Sequence, residues 1–104
     1  MGSPDERPGG EVIEKTGTEV KEPPLYRVLL HNDNYTTMEF VVEVLESVFA
    51  MPHEQALRIM LSVHQQGHGV CGTYPYEIAE TKVATVHTLA REQGFPLRAS
   101  FEEA

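Results

Sequence analysis

The sequence predicts an α+β fold in which three helices pack on a small three-stranded antiparallel sheet. Two segments alternate apolar and polar side chains with the period of a strand, and three segments repeat apolar residues at helical spacing. Glycine or proline stands at most of the junctions between them. The elements follow the order strand, helix, helix, strand, helix, strand, which is that of a two-layer β-α-α-β-α-β sandwich.

The bulk properties describe one acidic domain with an N-terminal extension. A chain of 104 residues has room for a single core. Residues 1–24 carry many prolines, glycines and charges, so we expect disorder there and a core domain over residues 25–104. The net charge of −8 argues against binding to nucleic acid or anionic membranes. A single cysteine and the lack of a long apolar stretch favour cytoplasmic residence.

The first strand and first helix flank a polar loop. Apolar residues at alternate positions between Tyr26 and Leu30 predict a strand over residues 25–31. Thr36 and Glu39 have the spacing of a capping box, which predicts a helix start near residue 37. The buried face of this helix should comprise Val41, Val44, Leu45 and Val48.

The second helix should begin soon after the first one ends at Met51-Pro52. We expect it over residues 53–66, with Gly67 as its stop signal. The residues expected to face inward are Ala56, Leu57, Ile59, Met60 and Val63.

The second half of the chain predicts a strand, a long helix and a final strand. Glycines weaken the strand pattern over residues 68–74, and Pro75 and Gly94 bound the third helix. Its inner stripe comprises Ala79, Val83, Val86 and Ala90, and its outward residues include Glu77, Glu80, Lys82 and Arg91. Leu97, Ala99 and Phe101 alternate with polar residues and predict the last strand.

The loop Asn32-Asp33-Asn34 is the most unusual feature of the sequence. It gathers side-chain acceptors beside a helix that carries Met38 and Val41, and His64 adds another acceptor if the second helix faces the loop. Acceptors beside an apolar pocket suit a cationic amine. The plainer interpretation is a turn, with Met38 and Met60 as ordinary core residues.

Two enzymatic interpretations compete with amine binding. Asp33, His64 and His68 suggest the metal site of a small hydrolase, although Gly67 should unwind the helix between the two histidines. Cys71 suggests a nucleophile, but a lone cysteine in a strand is more often buried in the core. An interaction module with the same sandwich, such as a ribosomal-stalk-like domain, is the remaining alternative.

Four spaced motifs run through the chain: Asn32-Asp33-x-Tyr35-Thr36-x-Met38-Glu39-Phe40-Val41, Met60-Leu61-x-Val63-His64-x-x-Gly67, Cys71-Gly72, and Ala79-Glu80-Thr81-Lys82-Val83. Together they closely resemble the ClpS family, from Pro24 to the C-terminus. Proteins of this family are adaptors of the bacterial N-degron pathway rather than enzymes. They bind a destabilising N-terminal residue (Leu, Phe, Tyr or Trp) and pass its protein to the ClpA-ClpP protease or a related one.

The resemblance implies a binding site for one N-terminal residue. The α-amino group would donate hydrogen bonds to Asn32, Asp33 and His64, directly or through water. Asn34 would lie near the first peptide units of the substrate. The implied side-chain pocket comprises Thr36, Met38, Val41, Met60, Val63 and Leu97. An ammonium is costly to bury unless each of its donors finds an acceptor, so these residue types suit the assignment.

The resemblance also implies how the adaptor meets its protease. Glu77 and Lys82 would lie on the surface that docks the N-terminal domain of a ClpA-type unfoldase, although the sequence alone describes them as solvated charges. The N-terminal extension would engage the unfoldase during hand-over. We expect a monomer that has neither a cofactor nor a metal and that contacts neither nucleic acid nor membrane.

Two positions depart from the pattern of the family. Asn34 stands where the family usually has Asp, and Thr37 where it often has Pro. An amide at position 34 keeps a hydrogen-bonding group but removes a negative charge near the substrate, so we expect weaker or narrower binding. An imidazole titrates near pH 6.5. Binding should therefore weaken in acid, where a protonated His64 would face the amine cation.

Overall fold

Disorder was predicted for residues 1–24, and the computed structural model describes residues 22–104, so residues 1–21 of that segment lie outside the described part of the chain. Its elements are β1 (Leu25–His31), α1 (Met38–Ser47), α2 (His53–Gln66), β2 (His68–Pro75), α3 (Tyr76–Gln93) and β3 (Arg98–Glu103). The predicted α+β order is confirmed. None of the helices within this part of the chain is long and apolar enough to cross a membrane.

The sheet has β1 at its centre, with β2 and β3 paired antiparallel to it on either side. The register with β2 shifts between Val28 and Leu29, which pair with Gly72 and Val70, so that Cys71 has no partner opposite. Val28 and Leu30 are fully buried, and Cys71 is buried as well. The alternate residues of β1 therefore place one face of the sheet in the core.

The core lies between this sheet and the apolar faces of the three helices. Aromatic residues fill it at both ends of α1: Phe40 packs on Phe95 and Phe49 on Tyr74, at centroid distances of 5.0 and 6.4 Å. The predicted inner faces supply most of the remainder, including Val41, Val44, Leu45, Ala56, Met60, Val63, Ala79, Val86 and Ala90. Burial of these side chains is the main force that holds the helices on the sheet.

The start of α1 corrects the predicted cap. Thr37, not Thr36, is the N-cap, and its side chain accepts a hydrogen bond from the Phe40 amide at 3.1 Å. The hydroxyl of Thr36 instead donates to the carboxylate of Asp33 at 2.7 Å. With two threonines in succession, the aspartate three residues earlier decides which one remains free to cap the helix.

The end of α1 also differs from the prediction, because the helix stops at Ser47 rather than at Met51. Ala50 then adopts a left-handed backbone conformation with φ of 55°. The Met51 amide reaches back to the Leu45 carbonyl at 3.2 Å. The reversal returns the apolar side chain of Met51 to the core, where it is 9% exposed.

Helix α2 has the predicted bounds but a narrower buried face. Leu57 was expected to face inward and instead lies on the outer surface with 37% of its area exposed. Gly67 ends the helix with φ of 91°, a left-handed conformation that favours glycine. Gly69 allows β2 to approach α2 closely, since a Cβ there would lie 2.9 Å from Val63.

A basic row crosses the sheet near the end of β1. His31 lies between its cross-strand partners His68 and Arg98, and its Nε2 is 2.6 Å from the Ser100 hydroxyl. Partial burial lowers the pKa of His31 below its ordinary value of 6.5, and the nearby Arg98 and His68 lower it further. Glu102 opposes the shift without cancelling it.

Candidate functional site

A cavity of about 220 Å³ opens between the loop after β1, the first half of α1 and the second half of α2. Its lining comprises Asn32, Asp33, Asn34, Thr36, Met38, Val41, Met60, Val63 and His64. These are all the residues predicted for the amine and side-chain site except Leu97. That residue lies in the core just before β3, with 4% of its area exposed, and is not part of this lining.

The polar rim of the cavity is shaped by Asp33. Its Oδ1 accepts hydrogen bonds from the amides of Tyr35 and Thr36 at 2.8 and 2.7 Å, and its Oδ2 accepts one from the Thr36 hydroxyl at 2.7 Å. Such bonds between a short carboxylate and the following backbone fix a tight turn. The same side chain is thus both a turn former and a member of the cavity lining.

Hydrogen bonding favours the ionised form of Asp33. Partial burial alone would raise its pKa, but the hydrogen bonds from the Thr36 hydroxyl and from the amides of Thr36 and Tyr35 outweigh burial and lower it. A carboxylate has about four lone-pair sites. Three are used by these bonds, so Oδ2 retains one acceptor position for an ammonium or a bridging water.

The loop and the end of α2 are joined at the rim. The Asn32 amide donates to the Gly67 carbonyl at 2.9 Å, which connects the residue after β1 to the residue that ends α2. His64 lies one turn before Gly67 and is exposed at the mouth. Asn32, Asp33 and His64 therefore bring a side-chain amide, a carboxylate and an imidazole to one edge of the cavity.

The walls below this rim are apolar. Val41, Met60 and Val63 are 7%, 9% and 3% exposed, and they line the interior of the cavity. Met38 is 48% exposed, so it stands at the opening of the cavity. The plainer interpretation had placed it in the core. Thr36 contributes a methyl group, because its hydroxyl is already bonded to Asp33. An apolar interior beneath a rim of acceptors suits an amphipathic ligand with a cationic end.

A second and wider depression, of about 730 Å³, lies against α3. It is lined by Ser47, Val48, Glu77, Ile78, Thr81, Lys82, Thr85 and Leu89, and we call it the α3 groove. It contains both residues assigned to docking by resemblance. It lies at the C-terminal end of α1, about 15 Å along the helix from the cavity at its start.

Lys82 is not the freely solvated charge that the sequence suggested. Its Nζ donates to the Val48 carbonyl at 2.7 Å, just beyond the end of α1. The ammonium also lies over the rings of Phe49 and Tyr74, 5.9 and 5.4 Å from their centroids. Lys82 therefore ties α3 to α1 at the floor of the groove, whereas Glu77 is exposed at its edge.

Sequence reasoning missed the apolar members of the α3 groove, chiefly Ile78, which is 48% exposed. The signal was present, because Ile78 interrupts an otherwise polar outer face of α3 beside Glu77. It was passed over because a single exposed aliphatic residue is common on protein surfaces.

The enzymatic alternatives find little support in the geometry. Across residues 22–104, His, Cys, Asp and Glu side chains do not gather in groups of three that could hold a metal ion. His68 starts β2 and is absent from the cavity lining that includes Asp33 and His64. Burial raises the pKa of Cys71 to about 12, so this thiol is not a ready nucleophile near neutral pH.

Comparison with known proteins decides the family. A family model described as ATP-dependent Clp protease adaptor protein ClpS matches residues 21–100. The chain belongs to the ClpS family. An ATP-dependent Clp protease adapter protein ClpS from Desulforapulum autotrophicum is 56% identical over 96 residues, covering 88% of this chain and 92% of that relative. Another from Oleidesulfovibrio alaskensis is 64% identical over 85 residues, covering 82% of each chain.

The fold is shared with a solved member of the ClpS family. The structure of Agrobacterium tumefaciens ClpS2 bound to L-phenylalaninamide matches with a TM-score of 0.77 and 41% identity, covering 80% of this chain and all of that one. The ligand of that protein is a large apolar amino acid with a free amine and a capped carboxyl group. Family membership makes this chain an adaptor of a Clp protease and not itself an enzyme.

Proposed function

We propose that this adaptor binds proteins by a large apolar N-terminal residue (Leu, Phe, Tyr or Trp) and delivers them to a Clp AAA+ unfoldase and its protease. The observation that supports it most is the cavity in which an apolar interior lies beneath a rim of acceptors. The phenylalaninamide held by ClpS2 of Agrobacterium tumefaciens has both features that such a cavity would recognise.

The free α-amino group is the proposed source of specificity for a chain terminus. An ammonium has three N–H donors. Asn32, the open position on Asp33 and His64 would accept them, directly or through water, and the negative Asp33 would strengthen the capture. An acetylated or internal residue has neither the charge nor these donors, so it would leave the rim unsatisfied.

The side chain of the first residue would fill the apolar interior. Val41, Met60 and Val63 would contact it, and the unbranched Met38 and Met60 would adapt to aliphatic and aromatic shapes. Thr36 would form one side of the entrance. Leu97 does not line the cavity. Its proposed role is therefore to support the pocket from the core.

Asn34 would lie against the first peptide units of the substrate, since it is exposed and forms part of the cavity rim. Its amide can exchange hydrogen bonds with a peptide group but adds no negative charge. The field at the rim is then carried by Asp33 alone among these loop residues. This arrangement supports weaker or narrower recognition than an acidic residue at position 34 would give.

The α3 groove is the proposed docking surface for the N-terminal domain of a ClpA-type unfoldase. Glu77 at its edge would make polar contact, while Ile78 and Leu89 offer apolar area between charged residues. Because the groove and the cavity lie at opposite ends of α1, substrate and unfoldase could be held together without overlap. We further propose that the adaptor acts as a cytoplasmic monomer, with residues 1–24 as an extension engaged during hand-over.

Fluorescence anisotropy on a panel of labelled peptides tests the proposal. The peptides begin with Leu, Phe, Tyr, Trp, Ile or Ala, and each is prepared with a free and with an acetylated N-terminus. We expect selective binding of the large residues that are not branched at Cβ, abolished by acetylation. Equal binding across the panel, or binding that survives acetylation, would contradict N-terminal recognition.

A further inference from the structure

The basic row of His31, His68 and Arg98 lies on the face of the sheet that points away from the helices. On β1, Val28 and Leu30 are fully buried in the core. Side chains alternate between the two faces of a strand, so His31 lies on the opposite face. Residues paired directly across antiparallel strands have side chains on the same face, so His68 and Arg98 stand on either side of His31. His68 and Arg98 are exposed, and His31 is half-buried.

The positive charge of this row is not balanced by the residues around it. Among residues 22–104, Arg98 forms no ion pair. Glu102 lies on the same strand, but its carboxylate is already bonded to Arg27 at 3.2 Å. The chain as a whole has a net charge of −8, so the row is a local exception on an acidic protein.

The row imposes an electrostatic cost on the sheet. Like charges on directly opposed residues of neighbouring strands are destabilising. Burial, then Arg98 and His68, lower the pKa of His31, and Glu102 does not cancel their effect. An anion bound between these side chains would relieve the repulsion and favour the charged imidazole. Grouped cations of this kind, which perturb one another, are typical of ligand sites.

Ser100 adds a fourth polar group to the row. Its hydroxyl lies 2.6 Å from Nε2 of His31. In a protonated imidazole both nitrogens are donors, so Nε2 would donate to the hydroxyl oxygen. The hydroxyl proton would then be free to bind a ligand. With His31 protonated, all four side chains can therefore donate hydrogen bonds to the same anion.

We propose that the basic row and Ser100 form a binding site for a phosphate group. A phosphate group carries close to two negative charges and three strong acceptor oxygens. A carboxylate has one charge and two oxygens, so it would leave more of the row uncompensated. The acidic remainder of the protein repels long polyanions, which favours a single phosphate group, either free or on a phosphorylated side chain.

This site is separate from the one proposed for the N-terminal residue of a substrate. His31, His68, Arg98 and Ser100 are absent from the lining of that cavity. Phosphate binding can therefore be measured on the full chain without a peptide, and its outcome does not depend on the proposed function.

Titration of the isotope-labelled chain with inorganic phosphate, followed by NMR at pH 6, tests the proposal. Chloride is exchanged for phosphate so that the ionic strength stays constant. We expect saturable shifts at the imidazoles of His31 and His68 and at the amides of Arg98 and Ser100. Bound phosphate should also raise the midpoint of the His31 titration, because it favours the protonated ring. Acetate should bind about 3- to 10-fold more weakly than phosphate.

Two arginine variants separate the site from general attraction of anions. Arg98→Gln should weaken phosphate binding about 3- to 10-fold, because it removes the permanent cation of the row. Arg91→Gln is the matched control. Arg91 is exposed in the last turn of α3, so this variant has the same net charge but should bind phosphate as the wild-type chain does.

A phosphopeptide distinguishes the two sources of the phosphate group. An acetylated peptide with a single phosphoserine is titrated beside its unphosphorylated parent. Binding of the phosphopeptide more than about 10-fold tighter than that of inorganic phosphate would identify a modified side chain as the ligand, and equal affinity would identify free phosphate.

The remaining outcomes would overturn the site. These are the lack of saturable shifts in the row, equal binding of acetate, and a His31 midpoint that does not move with phosphate. An equal loss of affinity in Arg91→Gln and Arg98→Gln would show that the net charge alone governs binding, which would also overturn it.

Discussion

Replacement of Asp33 tests whether one side chain both builds the loop and holds the substrate amine. Asp33→Asn retains an oxygen that can accept from the amides of Tyr35 and Thr36, so the turn should persist. The variant loses the negative charge and places an NH₂ donor where Oδ2 stood. Asp33→Ala instead removes all the acceptors that these bonds require.

Asp33→Asn should therefore weaken peptide binding with little loss of stability, whereas Asp33→Ala should clearly lower stability. Loss of a charge-assisted bond at a rim open to solvent costs about 1–2 kcal/mol, so Asp33→Asn should weaken binding of a free Leu N-terminus about 5- to 30-fold. Its free energy of unfolding should fall by less than about 1 kcal/mol. Asp33→Ala forfeits three hydrogen bonds of about 0.5–1.5 kcal/mol each, so its stability should fall by about 1.5–4.5 kcal/mol.

Urea unfolding measures stability, and peptide anisotropy measures binding. An acetylated Leu peptide provides the control, because its affinity should be equally poor for the wild-type chain and for Asp33→Asn. Unchanged binding of the free-amine peptide by Asp33→Asn would refute the assignment of this carboxylate to the amine. Unchanged stability of Asp33→Ala would refute its role in the turn.

Four further substitutions probe other parts of the molecule. Asn34→Asp should tighten binding of an N-terminal Leu peptide, and no gain in affinity would reject the view that the amide weakens recognition. In α3, Glu77→Lys should weaken capture by the isolated unfoldase N-terminal domain with little loss of stability. Lys82→Met should instead lower the free energy of unfolding by about 1–2 kcal/mol, because it loses a hydrogen bond to a carbonyl and two ring contacts. Equal melting temperatures of the two variants would contradict these different roles. The pKa of His31 is lower in the folded chain than its ordinary value of 6.5, so the unfolded chain binds the proton more readily. The contribution of neutral His31 to folding stability is therefore fully present above pH 6.5 and is lost as the pH falls through its folded pKa. His31→Gln should therefore make stability less dependent on pH between about pH 7 and 5, and an unchanged slope in urea unfolding would count against it.

The order of elements was predictable because the strongest signals in the sequence are local. Alternation over β1 and the stop signal at Gly67 depend on the backbone of a few residues, and β1 and α2 have the predicted bounds. The lining of the cavity between the β1–α1 loop and α2 was predictable by resemblance, since it includes every residue that was expected there except Leu97. Neither inference required knowledge of how the elements pack.

The errors arose where tertiary contacts decide between local alternatives. Thr36 and Thr37 are both adequate caps, and the hydrogen bond from Thr36 to Asp33 selects Thr37. Leu57 has core spacing, but the buried strip of α2 is narrower than its apolar pattern. Lys82 is drawn inward by the Val48 carbonyl, which lies just beyond the end of α1.

The backbone conformation of Thr37 explains why this departure from the family pattern is tolerated. Thr37 has φ of −72° and an extended ψ of 151°, a conformation that proline would also adopt readily. Threonine keeps that backbone geometry and adds a side-chain oxygen that caps the Phe40 amide at 3.1 Å. Thr37 therefore stabilises the start of α1 and does not line the cavity, whereas Asn34 does.

The proposed function requires one N-terminal residue to occupy the cavity between the β1–α1 loop and α2. Titration of the isotope-labelled chain with phenylalaninamide, followed by NMR, tests it most directly, with N-acetylphenylalaninamide as the matched control. We predict saturable shifts only with the free amine, at the backbone amides of Asn32, Asp33, Asn34, Tyr35, Thr36, Met38, Val63 and His64. Shifts centred instead on the α3 groove, or equal shifts with the acetylated compound, would contradict the account.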